Sequence, residues 1–247
     1  MTRTKAAVVT LSSREAVTAA MADSLVIAAG AAIAARGRFL LVLSGGSTPK
    51  ALYELLATPA YATRIDWTRV HVFWGDERCV PPDDRSSNYR MAREALLDRV
   101  PISPEAIHRM RGEDPPEQAA AAYEADLRQV FGAGPPRFDV VLLGMGDNGH
   151  TASLFPGLTA VRERSRWVVA EYVGEVKMWR LTLTPPALNA AANVLFVVVG
   201  GDKASMLSRV IEGPRDVDAL PAQVIAPTQG LLTWMVDSAA AAKLASR

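Results

Sequence analysis

The feature that most constrains this chain is a recurrence of short apolar runs separated by stretches of helical periodicity. Runs at 8–11, 39–43, 70–74, 138–143, 167–172, 181–184, 194–199 and 232–236 read as strands. Several are apolar throughout instead of at alternate positions, as strands covered on both faces require. Between the first two, Val17, Met21, Leu25, Ala28 and Ala32 recur at steps of 4, 4, 3 and 4 and mark one face of a helix, with Gly37 placed as its C-cap. Further helices are expected over 49–57, 88–99, 117–131, 203–211 and 238–245. This alternation predicts an α/β fold with a mostly parallel sheet flanked by helices. Segments 101–116 and 132–136 carry Pro and Gly and bracket one helix, but composition does not shift across them. A single domain over 1–247 is expected.

Charge and composition remove classes of function. Lys and Arg number 27 against 26 Asp and Glu, which leaves no overall electrostatic footprint for nucleic acid or an anionic membrane. Cys79 is the single cysteine, and there are three histidines. An internal disulfide and a multi-cysteine metal site are therefore excluded, and no metal is expected. The longest uncharged apolar stretch, 24–35, has 12 residues, short of the roughly 18 that span a bilayer. Ser12, Ser13, Arg14 and Glu15 interrupt the first apolar run before a signal-peptide core forms. The expectation is a cytoplasmic protein that neither crosses a membrane nor binds nucleic acid.

Chemistry is sought beyond the carboxyl ends of the strands, where open α/β sheets bind ligands. After the run ending at Leu43 come Ser44, Gly45, Gly46, Ser47 and Thr48, then Pro49 at the start of a helix. Two glycines permit a tight turn and close approach, and the helix N-terminus with its hydroxyls is a candidate anion site. It lacks the Gly-Lys-Ser/Thr ending of a Walker loop. After Trp74 come Asp76, Glu77 and Arg78, either a solvated turn or a carboxylate and a guanidinium for a polar substrate. Cys79 beside them reads as a small buried hydrophobe.

After Leu143 the glycine-rich segment 144–157 presents Asn148 and His150 beside Asp147 and Thr151. Gly144, Gly146 and Gly149 match G-x-G-x-x-G, with Glu171 about 20 residues on, as in a dinucleotide fingerprint. Pro156 and Gly157 leave only about one and a half helical turns after Gly149, too few for a crossover helix. A histidine in such a turn suits general-base chemistry near neutral pH. His71 and His108 read as structural. After Val199, Gly200 and Gly201 lead to Lys203, either a surface lysine or a second cation for a phosphate.

With those segments in view, 43–49 (LSGGSTP), 70–82 (VHVFWGDERCVPP), 87–89 (SNY), 143–156 (LGMGDNGHTASLFP), 180–189 (RLTLTPPALN) and 201–204 (GDKA) resemble the 6-phosphogluconolactonase family, in order and over nearly the whole chain. The resemblance implies a three-layer, Rossmann-like sheet similar to that of glucosamine-6-phosphate deaminase. It implies hydrolysis of 6-phospho-D-glucono-1,5-lactone, the second step of the oxidative pentose phosphate pathway, without a cofactor. His150 would be the general base, and Ser44, Gly45, Gly46, Ser47 and Thr48 would hold the phosphate with Lys203 and Arg180. Arg78 would bind substrate, and Asp76 would orient it or the sugar hydroxyls. The only partner implied is a small phosphorylated sugar lactone, the protein being a monomer or weak homo-oligomer.

Asn148 departs from the family pattern, which often has a carboxylate two residues before the histidine. An amide accepts an imidazole N–H but does not stabilise an imidazolium by charge. The segment 174–179 also lacks the prolines common in the family. The alternatives are a sugar-phosphate isomerase/deaminase on the same fold, a non-enzymatic sugar-phosphate sensor, and a dinucleotide-dependent oxidoreductase.

Overall fold

The structure, a computed structural model, describes residues 6–245. The chain ends included in the expected 1–247 unit lie outside the described residues. Nine strands form two sheets. The larger is parallel throughout, in the order β1-β9-β8-β5-β2-β3. Its strands are β1 (Ala7–Leu11), β2 (Phe39–Leu43), β3 (Val70–Trp74), β5 (Val140–Gly144), β8 (Asn193–Val198) and β9 (Leu231–Asp237). The smaller is antiparallel, in the order β4-β7-β6, from β4 (Asp76–Arg78), β6 (Val168–Val173) and β7 (Met178–Leu183). The helices are α1 (Arg14–Arg36), α2 (Ser47–Leu56), α3 (Pro59–Ala62), α4 (Asn88–Ala95), α5 (Pro116–Phe131), α6 (Pro185–Leu188) and α7 (Ala204–Glu212).

Every residue of β2 is buried, as its unbroken apolar sequence requires of a strand covered on both faces. Helix α1 begins at Ser13, whose hydroxyl accepts the Ala16 N–H at 3.2 Å. It stops at Gly37, left-handed at φ 73°, whose N–H returns to Ile33. The buried stripe of α1 runs through Val17, Met21, Leu25, Ala29 and Ala32, with Ala29 in place of the expected Ala28, which is half-buried. With Asp23 tolerated inside it, α1 is long and apolar enough to cross a membrane by length and composition, beyond the 12-residue stretch read from the sequence. In this fold, the stripe packs against β2 and β9.

Five expectations are corrected. The runs 167–172 and 181–184 form an antiparallel hairpin outside the main sheet, because a parallel pair needs a crossover of about a dozen residues and only four separate β6 from β7. Asp76–Arg78 is a strand, although its charge reads as a turn, because β7 supplies a partner. The helix expected at 88–99 ends at Ala95 and continues as a 3₁₀ turn, Leu97–Arg99, and that at 203–211 starts at Ala204 after a 3₁₀ turn, Gly201–Lys203. The helix expected at 238–245 is only a 3₁₀ turn, Ala240–Lys243, because the Ala240 N–H is taken by Asp237 Oδ1 and Ser238 donates to the Leu11 carbonyl.

The short helical segment implied after Gly149 is also absent. Thr151 and Leu154 form an isolated β-bridge, with Ala152 at φ 47° between them. Glu171 accepts the Ala160 N–H at 2.7 Å and the Thr159 hydroxyl at 3.0 Å. Neither the crossover helix nor the free acidic residue of a dinucleotide site is present here. The carboxyl ends of β2, β5 and β8, neighbours in the sheet, carry the segments 44–48, 144–157 and 200–203 to one edge.

Candidate active site

The turn after β5 is held from within. Gly146 donates its N–H to the His150 carbonyl at 2.9 Å, and Thr151 Oγ1 donates to the Gly144 carbonyl at 2.8 Å. Gly149 takes φ 80°, a left-handed conformation that favours glycine. A Cβ on Gly146 would lie 2.0 Å from His150 Cε1, so the missing side chain is the space the imidazole occupies. The ring stacks on Phe155 with centroids 4.1 Å apart.

His150 Nδ1 lies 2.7 Å from Asn148 Oδ1, and the same oxygen accepts the His150 backbone N–H at 3.2 Å. An amide oxygen only accepts, so this contact places the proton on Nδ1 and leaves Nε2 as the lone-pair nitrogen. The Asn148 amide nitrogen donates to Glu175 Oε2 at 3.0 Å. Burial pushes the imidazole below its ordinary pKa. The carboxylates of Asp76 and Glu175 oppose that shift, and the cations of Arg180 and Lys203 add to it.

The antiparallel sheet delivers the charged groups. Arg78 pairs with Arg180, and Asp76 with Thr182, across β4 and β7. Asp76 Oδ2 accepts the Ser153 hydroxyl at 2.7 Å, which ties β4 to the glycine-rich turn. Its other oxygen faces the Asn88 amide at 3.4 Å. Orientation of Arg78 by Asp76 is not what the geometry shows, since the Arg78 Nη1 donates to the Ser86 carbonyl. Nε of Arg78 and of Arg180 are both buried with no hydrogen-bond partner. Burial also lowers the pKa of the Arg180 guanidinium, while Asp76 favours its charge.

The helix expected from 49 begins two residues earlier, at Ser47, with Gly46 at φ 106° as N-cap of α2 and no side chain capping it. Tyr53 Oη, fully buried, bonds both the N–H and the carbonyl of Ser44 at 2.9 Å. Asn88 packs against Gly45, where a Cβ would meet its Oδ1 at 2.0 Å, and donates to the Asp76 carbonyl at 2.9 Å. Gly45, Asn88, Asp76 and Ser153 are thus linked by contacts, and Ser153 lies three residues after His150 in the same turn. Lys203 joins it differently, since its ammonium is ion-paired with Asp147.

Sequence reasoning missed four residues here. Glu77 is a buried carboxylate that accepts the backbone N–H groups of Arg78, Asn88 and Tyr89, each at 2.7 Å, and the Ser87 hydroxyl at 3.0 Å. Burial raises its pKa, and those hydrogen bonds oppose the rise. Tyr53 gave no local signal, Asn88 was visible only as part of 87–89, and Glu175 only as part of an unusual loop. Cys79 is partly buried and its thiol is pushed up to about 11 by burial and then by Glu77, so it stays protonated. His71 and His108 lie elsewhere, 3.2 Å apart, with His108 2.9 Å from Asp126.

Against this geometry stand the similarities. Residues 12–234 match the family model described as glucosamine-6-phosphate isomerases/6-phosphogluconolactonase. The chain is 45% identical over 245 residues to a 6-phosphogluconolactonase of Nostoc sp., covering 97% of this chain and 99% of that one. The solved 6-phosphogluconolactonase of Trypanosoma cruzi superposes with a TM-score of 0.88 at 29% identity, covering 99% and 98%. A solved monomeric glucosamine-6-phosphate deaminase superposes with a TM-score of 0.82 at 20% identity, covering 96% and 99%, which shows the shared fold.

Proposed function

The chain belongs to the glucosamine-6-phosphate isomerase/6-phosphogluconolactonase family, and from that premise we propose that it hydrolyses 6-phospho-D-glucono-1,5-lactone to 6-phosphogluconate, with His150 as general base. The observation that carries this reading is the 2.7 Å contact of His150 Nδ1 with Asn148 Oδ1, which leaves Nε2 as the lone-pair nitrogen of a ring whose charge Asp76 and Arg180 influence. Similarity to lactonases over nearly the full chain favours a lactone over an amino sugar as substrate. We read the protein further as a cytoplasmic monomer or weak homo-oligomer of the oxidative pentose phosphate pathway.

In the reaction as proposed, water gives a proton to His150 Nε2 while its oxygen attacks C1 of the lactone. Negative charge develops on the former carbonyl oxygen, and the guanidinium charges of Arg78 and Arg180, paired across β4 and β7, are suited to stabilise it. Collapse breaks the bond from C1 to the ring oxygen, which takes the proton back from the imidazolium and becomes a hydroxyl. The open N–H groups of α2 and the hydroxyls of Ser47 and Thr48 suit the phosphate, far from C1. Lys203 then contributes through Asp147 and its field at His150, not as a direct phosphate ligand.

The test is turnover of freshly generated lactone by purified protein, corrected for spontaneous hydrolysis. Accelerated acid release is the expected result, and ammonia release from glucosamine 6-phosphate without lactone turnover would reverse the assignment. Because burial holds the His150 pKa below its usual value of about 6.5, kcat/KM should stay level at neutral pH. It should fall only as pH drops below that value and the base becomes protonated. A second expectation concerns Gly146→Ala. The added Cβ forces the imidazole off Asn148 and Phe155, and kcat should fall by about 10–10²-fold, as a misplacement near 1 Å costs. Unchanged kcat in a folded G146A protein would count against the assigned ring position.

A further inference from the structure

We propose that Glu175 is a positioning residue for the base: it holds the Asn148 side-chain amide in the one orientation that makes His150 Nε2 the proton acceptor. The proposal rests on the lactonase reading for its rate consequences, but its structural content does not. Asn148 stands between two partners, with its oxygen on His150 Nδ1 at 2.7 Å and its nitrogen on Glu175 Oε2 at 3.0 Å. A terminal amide turned by half a rotation exchanges its oxygen and nitrogen. The turned amide would offer an N–H to Nδ1, and that nitrogen would then have to carry the lone pair. The proton would move to Nε2, and the ring would no longer accept a proton from water on that side.

Two contacts oppose the turn. One is the His150 backbone N–H, which needs an acceptor at the position of Asn148 Oδ1 and finds it at 3.2 Å. The other is Glu175, a carboxylate that only accepts and so rejects the amide oxygen. Glu175 comes from the short loop between β6 and β7, Gly174–Val176, which Lys177 closes at φ 50°. No ion pair engages Glu175 among the described residues, so the amide is its hydrogen-bond partner. Its carboxylate also lies close enough to support positive charge on His150. The negative charge absent at position 148 is thus supplied one residue further out, through an amide.

Glu175 is exposed, so substitution there should leave the fold intact, which circular dichroism checks. Glu175→Ala should lower kcat about three- to tenfold, the equilibrium weight of one net hydrogen bond, with KM for the lactone unchanged. Glu175→Gln, whose amide both accepts and donates, pairs with Asn148 in either orientation and should lower kcat much as E175A does. Loss of the charge should also move the acid limb of kcat/KM to lower pH in E175Q. The other charged groups facing the imidazole, Asp76, Arg180, Lys203 and the Lys203-paired Asp147, stay in place in both variants.

Nitrogen NMR of the histidine rings gives a readout independent of activity, with His150→Asn identifying the His150 signals among the three histidines. Neutral wild type should show the Nδ1–H form of His150, and E175A and E175Q a mixture with Nε2–H. Wild-type kcat and an unmixed tautomer in E175A would overturn the proposal, as would E175Q keeping the wild-type kcat and tautomer. If the wild-type protein fails to hydrolyse the lactone, the functional reading falls while the tautomer measurement still decides the role of Glu175.

Discussion

Replacing His150 with asparagine should lower kcat for lactone hydrolysis by about 10²–10⁴-fold, the range expected when a positioned general base is removed. The size follows from how completely the site commits that ring. Nδ1 is occupied by Asn148 and the ring face by Phe155, and Gly146 lacks the Cβ that would exclude it. Nothing in this arrangement passes the role to another residue, because His71 and His108 hold each other elsewhere. KM should change little, since the elements proposed to hold the phosphate lie on the 44–48 segment. The measurement is initial rate against lactone concentration with the spontaneous reaction subtracted. Turnover within a few fold of wild type in a folded H150N protein would remove His150 from the mechanism. Residual activity above the uncatalysed rate is expected from substrate positioning alone.

The second large effect is on stability. Glu77→Ala should cost about 3–5 kcal/mol, because it strips the acceptor from three backbone N–H groups and a serine hydroxyl that fold around the carboxylate. Each buried donor left without a partner costs about 1–3 kcal/mol, and water entering the space left by the side chain recovers part of the sum. Two of those donors are Asn88 and Tyr89, the first residues of α4, so the loss falls on the start of that helix. At roughly 2–4 °C per kcal/mol for a chain of this size, Tm should drop by about 6–20 °C. Glu77→Gln should fall between the two, as it keeps one acceptor oxygen but turns an NH₂ toward other donors. A melting point within 2 °C of wild type for E77A, about 1 kcal/mol or less, would show that the carboxylate does not organise this segment.

Much of the fold was legible because the signals are local. The unbroken apolar run 39–43 becomes a fully buried strand, and the apolar periodicity before Gly37 becomes α1 with its left-handed cap, its buried stripe passing through Ala29 instead of Ala28. The glycines of 44–46 and 144–149 likewise marked chain reversals at carboxyl ends, which is where the structure places them. The failures share a physical origin. Charged β4 reads as a turn because its strand character comes from hydrogen bonds to β7, about a hundred residues later in the chain. The alanine-rich segment 238–245 has helical composition, but its start is tied to β1 and β9, with Ser238 donating to the Leu11 carbonyl and the Ala240 N–H to Asp237 Oδ1.

The roles within the Asp-Glu-Arg triplet were equally hidden. Asp76, Glu77 and Arg78 are three adjacent charged side chains with three different fates. One is bonded to Ser153, one is enclosed by the start of α4, and one lies across from Arg180. Alternation along a strand separates Glu77 from its neighbours, but nothing local says which face is the site.

By itself, then, the sequence determined the α/β architecture, the loops at the carboxyl ends, the family and the histidine. Each of those is written in periodicity, in glycine placement or in a contiguous motif. Only the tertiary structure decided what surrounds the histidine. Ser153 and Asp76 are 77 positions apart, and Asn148 and Glu175 are 27 apart. Contacts across such separations depend on how two sheets and their loops pack together, a property of the assembled chain that no local pattern encodes.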